Sequence, residues 1–331
     1  MKIRKEKWTL WIMLAVMLLT ACSSDDTPSS SYVGDETREI CFNADVSQVK
    51  SGTRATTIDD DGDLQAQDIR IDAYAHGTTT SAFSGAKLHY YDSSWKFWES
   101  ESQTHYYWPI EGSVINSTTV TSLDFVGYCP YVCGYVSDLG YTSSAVTFSC
   151  NMSSFMTHTA QSDITEFMCA LLQDQTYATQ EAAPSRALPL AFKHPFTRIK
   201  FQLSASHPDI TINSITLGGL KSSGTCSFDG STSTWSDRTG DADFVATVNQ
   251  TLNTNASAQQ IGSDYILIPQ EFSGNIVVNA TWKVWGEDAA HSVSTTISPV
   301  TWQPGHSYTY TFTITETDLV VNTTEKYTEQ W

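Results

Sequence analysis

The chain has 331 residues, enough for two domains of common size with substantial cores. Charged residues are only 16% and Thr, Ser, Tyr, Trp and Val are plentiful, which favours β-structure over helix. A formal net charge of -18 argues against nucleic acid or an anionic lipid surface as the partner.

In chain order, Lys2, Arg4, Lys5 and Lys7 form a basic start, and WTLWIMLAVMLL supplies an apolar run too short for a comfortable membrane span. The run ends in Leu19-Thr20-Ala21-Cys22, which resembles a bacterial lipobox. The resemblance implies a signal peptide over residues 1–21, lipidation of Cys22 and attachment to the outer membrane through lipid alone. An ordinary signal peptide with an incidental cysteine is the alternative. Residues 22–37 are small, polar and acidic, without apolar period, and are expected to form a flexible tether.

EICFNADVSQ then reads as a strand in which Ile40, Phe42, Ala44 and Val46 share one face. It is followed by SGTRATTIDDDGD, a polar joint with Arg54 and Ala55 in its middle. Such a joint is either a solvated loop or a place to be cut. Its acidic run matches a calcium loop only partly. With Gly62 at the sixth position, the first falls on Thr57 and the twelfth on Asp68, so no metal site is assigned.

Alternation predicts further strands over 69–75, 196–205, 210–220, 265–272, 275–285 and 308–315. In the last of these, Tyr308, Tyr310, Phe312 and Ile314 face one way and the threonines the other. ITEFMCALLQD (164–174) is the best candidate for a short helix, and is also compatible with a strand. A polar, aperiodic stretch at 175–189 suggests a boundary. It divides the chain into an N-terminal domain, 38–180, and a C-terminal domain, 188–315. Many short strands with few helices indicate an all-β chain of two β-sandwiches in tandem. In the tail, 316–331, Leu319, Val321, Tyr327 and Trp331 have the same parity.

The six cysteines after Cys22 show no disulfide framework, and most are expected to be buried and apolar, with room for one bridge. No nucleophile elbow, HExxH, P-loop or dinucleotide fingerprint is present, so no catalytic residue or cofactor is assigned. His194, beside Pro195 at a strand start, reads as structural. Trp95, Trp98 and Trp108 suit either core and strand-edge positions or a sugar-stacking platform.

Together, LTACSSDD, TRAT (53–56), WPIEGS (108–113) with LDFVGYCPY, QSDI (161–164), LAFKHPFTRIKF (190–201), SITLGGLKSSGTCSF (214–228), ILIPQ (266–270) and WQPGHSYTYTFTI (302–314) resemble the fimbrillin family, subunits of type V pili in Bacteroidales. Asp25 and Asp26 resemble the surface-export signal of lipoproteins in Bacteroidetes. The family resemblance implies two transthyretin-like β-sandwiches and no enzyme. It implies export to the cell surface and cleavage after Arg54 by an arginine-specific protease, which removes a first strand within 38–54. The vacated groove would take a strand from another pilus subunit, with the tail as donor. Such a chain would build a fimbria as a stalk subunit contributing to adhesion. Alternatives are a tip or anchor subunit, or a monomeric surface lipoprotein that binds a host or glycan ligand.

Overall fold

The computed structural model describes residues 34–46, 58–110, 112–157, 161, 164–205, 210–252, 257–271, 276–284, 286, 290–297, 300–315, 319–321 and 329–330. The described residues begin with β1 (Gly34–Glu39), β2 (Phe42–Val46) and a short helix α1 (Asp61–Gln65). There follow β3 (Ile69–Ala75), β4 (Ser81–Tyr91), β5 (Ser94–Glu99), β6 (Ser102–Gln103), β7 (Tyr107–Pro109), β8 (Val114–Ile115), β9 (Thr118–Thr119) and β10 (Leu123–Cys129). Next come β11 (Val136–Tyr141), β12 (Val146–Asn151), β13 (Met168–Gln175), α2 (Tyr177–Ala182), β14 (Leu188–Phe192) and β15 (Thr197–Ala205). The remainder is β16 (Ile210–Phe228), β17 (Ser233–Thr251), β18 (Gln259–Leu267), β19 (Ile276–Val284), β20 (His291–Ile297), β21 (His306–Ile314), β22 (Leu319–Val321) and β23 (Glu329–Gln330). The protein is all-β and built as two β-sandwiches.

In the N-terminal sandwich one sheet runs β13-β10-β3-β4-β5-β6, and the pairs β1-β7 and β14-β2 contribute to the same core. In the C-terminal sandwich β11-β12-β16-β19-β20, with β17 against β16, shares a core with β18-β15-β21-β22. Period-2 alternation builds both. In β21, Tyr308, Tyr310, Phe312 and Ile314 are buried while Thr309, Thr311 and Thr313 are half-buried on the opposite face.

Strand β10 joins the two cores. Every one of its residues is buried. Leu123, Phe125 and Cys129 enter the N-terminal core, whereas Val126 and Tyr128 enter the C-terminal one. Its neighbour β13 does the same, with Met168 and Ala170 on one side and Cys169 on the other. Burial on both faces explains the continuous apolar run at 167–170, which lacks the polar alternation of an ordinary strand. The helix considered for 164–174 is therefore strand β13 over its second half.

The division expected at 175–189 differs from the course of the chain. Strands β11 and β12 belong to the C-terminal body, Val146 lying opposite Phe228 of β16. The chain then returns through β13 to the N-terminal sheet, and β14 stays in the N-terminal core through Leu188, Leu190 and Phe192. The polar stretch is a link within that sandwich, carrying α2.

All six described cysteines are free thiols, four of them buried. Burial raises their pKa values, that of Cys226 to about 12, so they behave as small apolar groups.

Because β10 and β13 serve both cores, the sandwiches should melt together. Phe125→Ala and Val126→Ala touch different cores, yet each should lower the midpoint of one common thermal transition. Circular dichroism resolving two transitions, with each substitution shifting only one, would contradict this.

Candidate functional site

The first strand is seated in a core that the rest of the chain builds. In and beside β2, Ile40, Phe42 and Ala44 are buried, and Val46 is half-buried against the same cluster. The Phe42 ring meets Phe125 edge-on at 5.1 Å and Phe97 at 6.0 Å. Trp108 stands against Phe125 at 5.7 Å. Fully burying a side chain such as Ile40 or Phe42 contributes about 1.5–3 kcal/mol each.

Backbone groups are answered too. β2 pairs in parallel with β14, in register from Leu188↔Phe42 to Phe192↔Val46. Trp95 Nε1 donates to the Ala44 carbonyl at 3.1 Å, and Val46 N donates to Asp61 Oδ1 at 3.0 Å. Gln180 holds the link between β1 and β2. Its Oε1 accepts from Cys41 N at 3.0 Å and from Trp108 Nε1 at 3.0 Å, while its Nε2 donates to the Glu39 carbonyl at 2.8 Å. Gln180 itself is buried in α2, whose start is fixed by a capping box between Thr176 and Thr179. Truncating this side chain would leave three groups without their partner, one of them the buried Trp108 Nε1, which is costly.

Arg54 and Ala55 lie in residues 47–57, outside the described residues, as does Cys22. The flanks of that segment are described. Upstream, Val46 is tied to Asp61. Downstream, Ile58 N donates to Glu166 Oε2 at 3.3 Å, and Arg198 Nη1 donates to Asp59 at 2.6 Å. Glu166 is buried, and its other oxygen lies 2.7 Å from His194 Nδ1. Burial pushes the Glu166 carboxyl above its ordinary pKa, while the His194 and Arg198 charges pull the other way. Arg198 also lies 3.5 Å from Asp264. The chain just after the undescribed segment is thus pinned by a buried charge cluster drawn largely from the start of β15 and its approach.

In the acidic run one oxygen each of Asp59, Asp60, Asp61 and Asp63 accepts from a protein group. Asp60 caps α1 by accepting from Asp63 N at 3.0 Å, and Asp63 accepts from Asp59 N at 3.1 Å. Among the described residues no group of three or more His, Cys, Asp or Glu is placed to hold a metal. Of the three tryptophans, Trp95 and Trp108 are buried and serve the seat of β2, while Trp98 is half-buried on the outer face of β5.

The tail has a partner that its sequence did not disclose. β22 lies antiparallel on β21, with Leu319 opposite Ile314 and Val321 opposite Phe312. β23 places Gln330 opposite His306. Tyr327 and Trp331 fall outside the described residues.

The profile of the fimbrillin-like family matches residues 53–331. The chain belongs to the fimbrillin-like family. Among solved structures, this fimbrillin-like chain is similar to a candidate cell adhesion protein of Bacteroides ovatus. That pair is 15% identical, with a TM-score of 0.52, over 91% of this chain and 100% of the other. A second candidate cell adhesion protein, from Bacteroides uniformis, is 18% identical with a TM-score of 0.50, over 88% of this chain and 98% of the other. At such identities the likeness establishes the fold. No curated protein matches the chain significantly.

Sequence reading missed Gln180, Glu166 and Arg198 as supports of this fimbrillin-like site. The one local signal was the capping pattern Thr176-x-x-Thr179, which announces a helix but not what its fourth residue would hold.

The seat makes a graded prediction. Phe42→Ala should cost about 3–5 kcal/mol, and Val46→Ala, at the half-buried end, less than about 1.5 kcal/mol. Urea unfolding of the full chain measures both, and equal costs would mean that Phe42 is not an anchor.

Proposed function

We propose that this chain is a non-enzymatic structural subunit of a surface pilus, exported as a lipoprotein through Cys22, cleaved after Arg54 and polymerised by strand exchange. The observation that carries this reading is the seat of β2. Its side chains complete a core, yet it joins that core from one end, through a segment that contains Arg54. Losing β2 would uncover the slot around Phe97 and Phe125 and leave β14 without the one strand it pairs with among the described residues. Exposed apolar surface and unpaired backbone groups favour a replacement strand. A strand from another subunit restores both, with main-chain bonds for affinity and alternating side chains for register. Head-to-tail donation does not close on itself, so it builds a filament. The family match supports this reading, as does its start at residue 53, beside Arg54.

In this scheme the tail donates through Leu319, Val321, Tyr327 and Trp331, which suits a stalk subunit. Donation first requires release from β21, because β22 pairs with it in the isolated chain. That same pairing favours a second reading, a tip subunit whose groove accepts a strand while its own tail stays home.

The deciding measurement is the N-terminal sequence of protein recovered from the cell surface, for wild type and Arg54→Ala. Wild type should begin at Ala55, and the variant should remain lipidated and unpolymerised. A working wild-type protein that still carries lipidated Cys22 would refute cleavage. Deleting residues 316–331 separates the two roles. A stalk subunit loses the ability to extend polymers, whereas a tip subunit still joins them.

A further inference from the structure

The N-terminal sheet carries a second feature on the face turned away from β2. Strand β5 sends Trp95 and Phe97 into the core and Lys96 and Trp98 outward. On that outer face the Trp98 ring has His89 and Tyr91 as neighbours, each 5.2 Å away, and Tyr91 is 55% exposed. Beside Trp98 opens a cleft of about 350 Å³, with Tyr106 and Tyr131 as further aromatic lining. Its backbone lining includes Gly85, at φ +73°, where an added Cβ would find no heavy atom closer than the Tyr131 hydroxyl at 4.0 Å. The missing side chain leaves the cleft open down to the backbone, and the left-handed conformation there suits only glycine well. Tyr131 is held in place by donating to the Gly85 carbonyl at 2.9 Å. Lys87, Glu99 and Thr104 add a cation, a carboxylate and a hydroxyl.

We propose that this cleft binds a neutral saccharide of one or two rings. The volume lies at the small end of ligand pockets. Aromatic faces match the flat C–H faces of a pyranose, and the mixed donors and acceptors match its hydroxyls. The chain's net charge of -18 disfavours sulfated or sialylated glycans. A protein partner would need a broad surface with an apolar centre, not a narrow cleft with polar lining. The cleft runs from the outer face to the sheet edge, where its Tyr106 wall packs on Phe83 and Phe97 at 4.4 and 4.6 Å on the side that holds β2.

The test is saturation-transfer NMR and tryptophan fluorescence on the full-length protein. The probes are N-acetyllactosamine, mannobiose, cellobiose and lactose, with 3′-sialyllactose as the charged comparison. Saturable binding of at least one neutral sugar is expected, weakened tenfold or more in Trp98→Ala. Ser84→Trp, at an exposed position on the cleft, should block it without disturbing the core. Both variants should keep the wild-type circular dichroism spectrum. No saturable binding of any neutral probe, binding that survives both substitutions, or binding of sialyllactose alone would each overturn the proposal.

Discussion

The N-terminal sandwich depends on a strand that arrives at its edge. β2 is short, and among the described residues it has one strand neighbour, the parallel β14. Yet it supplies Phe42 and Ala44, with Ile40 just before it, to a core otherwise built from residues beyond 57. The strand is thus a filling as much as a rung. Its backbone is answered on one side by β14 and beyond that by the Trp95 and Asp61 side chains, while Gln180 holds the link to β1. Side-chain answers suit the edge of a strand that is paired on its other side alone. They also read the main chain rather than its sequence, so another extended segment with the right alternation meets the same partners.

The charge cluster around Glu166 has a complementary part. It grips Ile58 and Asp59, just past the segment that holds Arg54. Breaking one partner of a buried ion pair is expensive, since the other charge is left in a poor medium. The chain on that side is therefore held independently of β2. A strand before the segment and a clamp after it make the two flanks separable in energy, although they lie close together through Asp61.

Much of the fold was legible because alternation is a local property. The strand at 308–315 was read with its faces correctly assigned, since tyrosine and threonine alternate without interruption. Alternation says which residues turn inward, but not into which core. Phe148 and Phe125 look alike in sequence, and only the pairing of β12 with β16 sends the first to the C-terminal body. The apolar run at 167–170 was ambiguous for a related reason: burial on both faces erases the period that separates strand from helix. Gln180 was invisible because a buried glutamine is defined by distant partners, here Cys41 and Glu39. The apolar face of β2 could be read. Its seat could not, because β14 lies more than a hundred residues away in the chain.

Strand β21 has a mechanical meaning. Any load applied to the chain beyond residue 314 enters the body through this strand. β21 runs parallel to β15 along its whole length, from Thr197↔His306 to Ala205↔Ile314. A pull along its axis loads those rungs side by side, in shear, so many must yield together. A hairpin pulled apart from its open end would instead unzip one rung at a time. The connection between body and tail is therefore arranged to bear tension, whatever the tail is tied to.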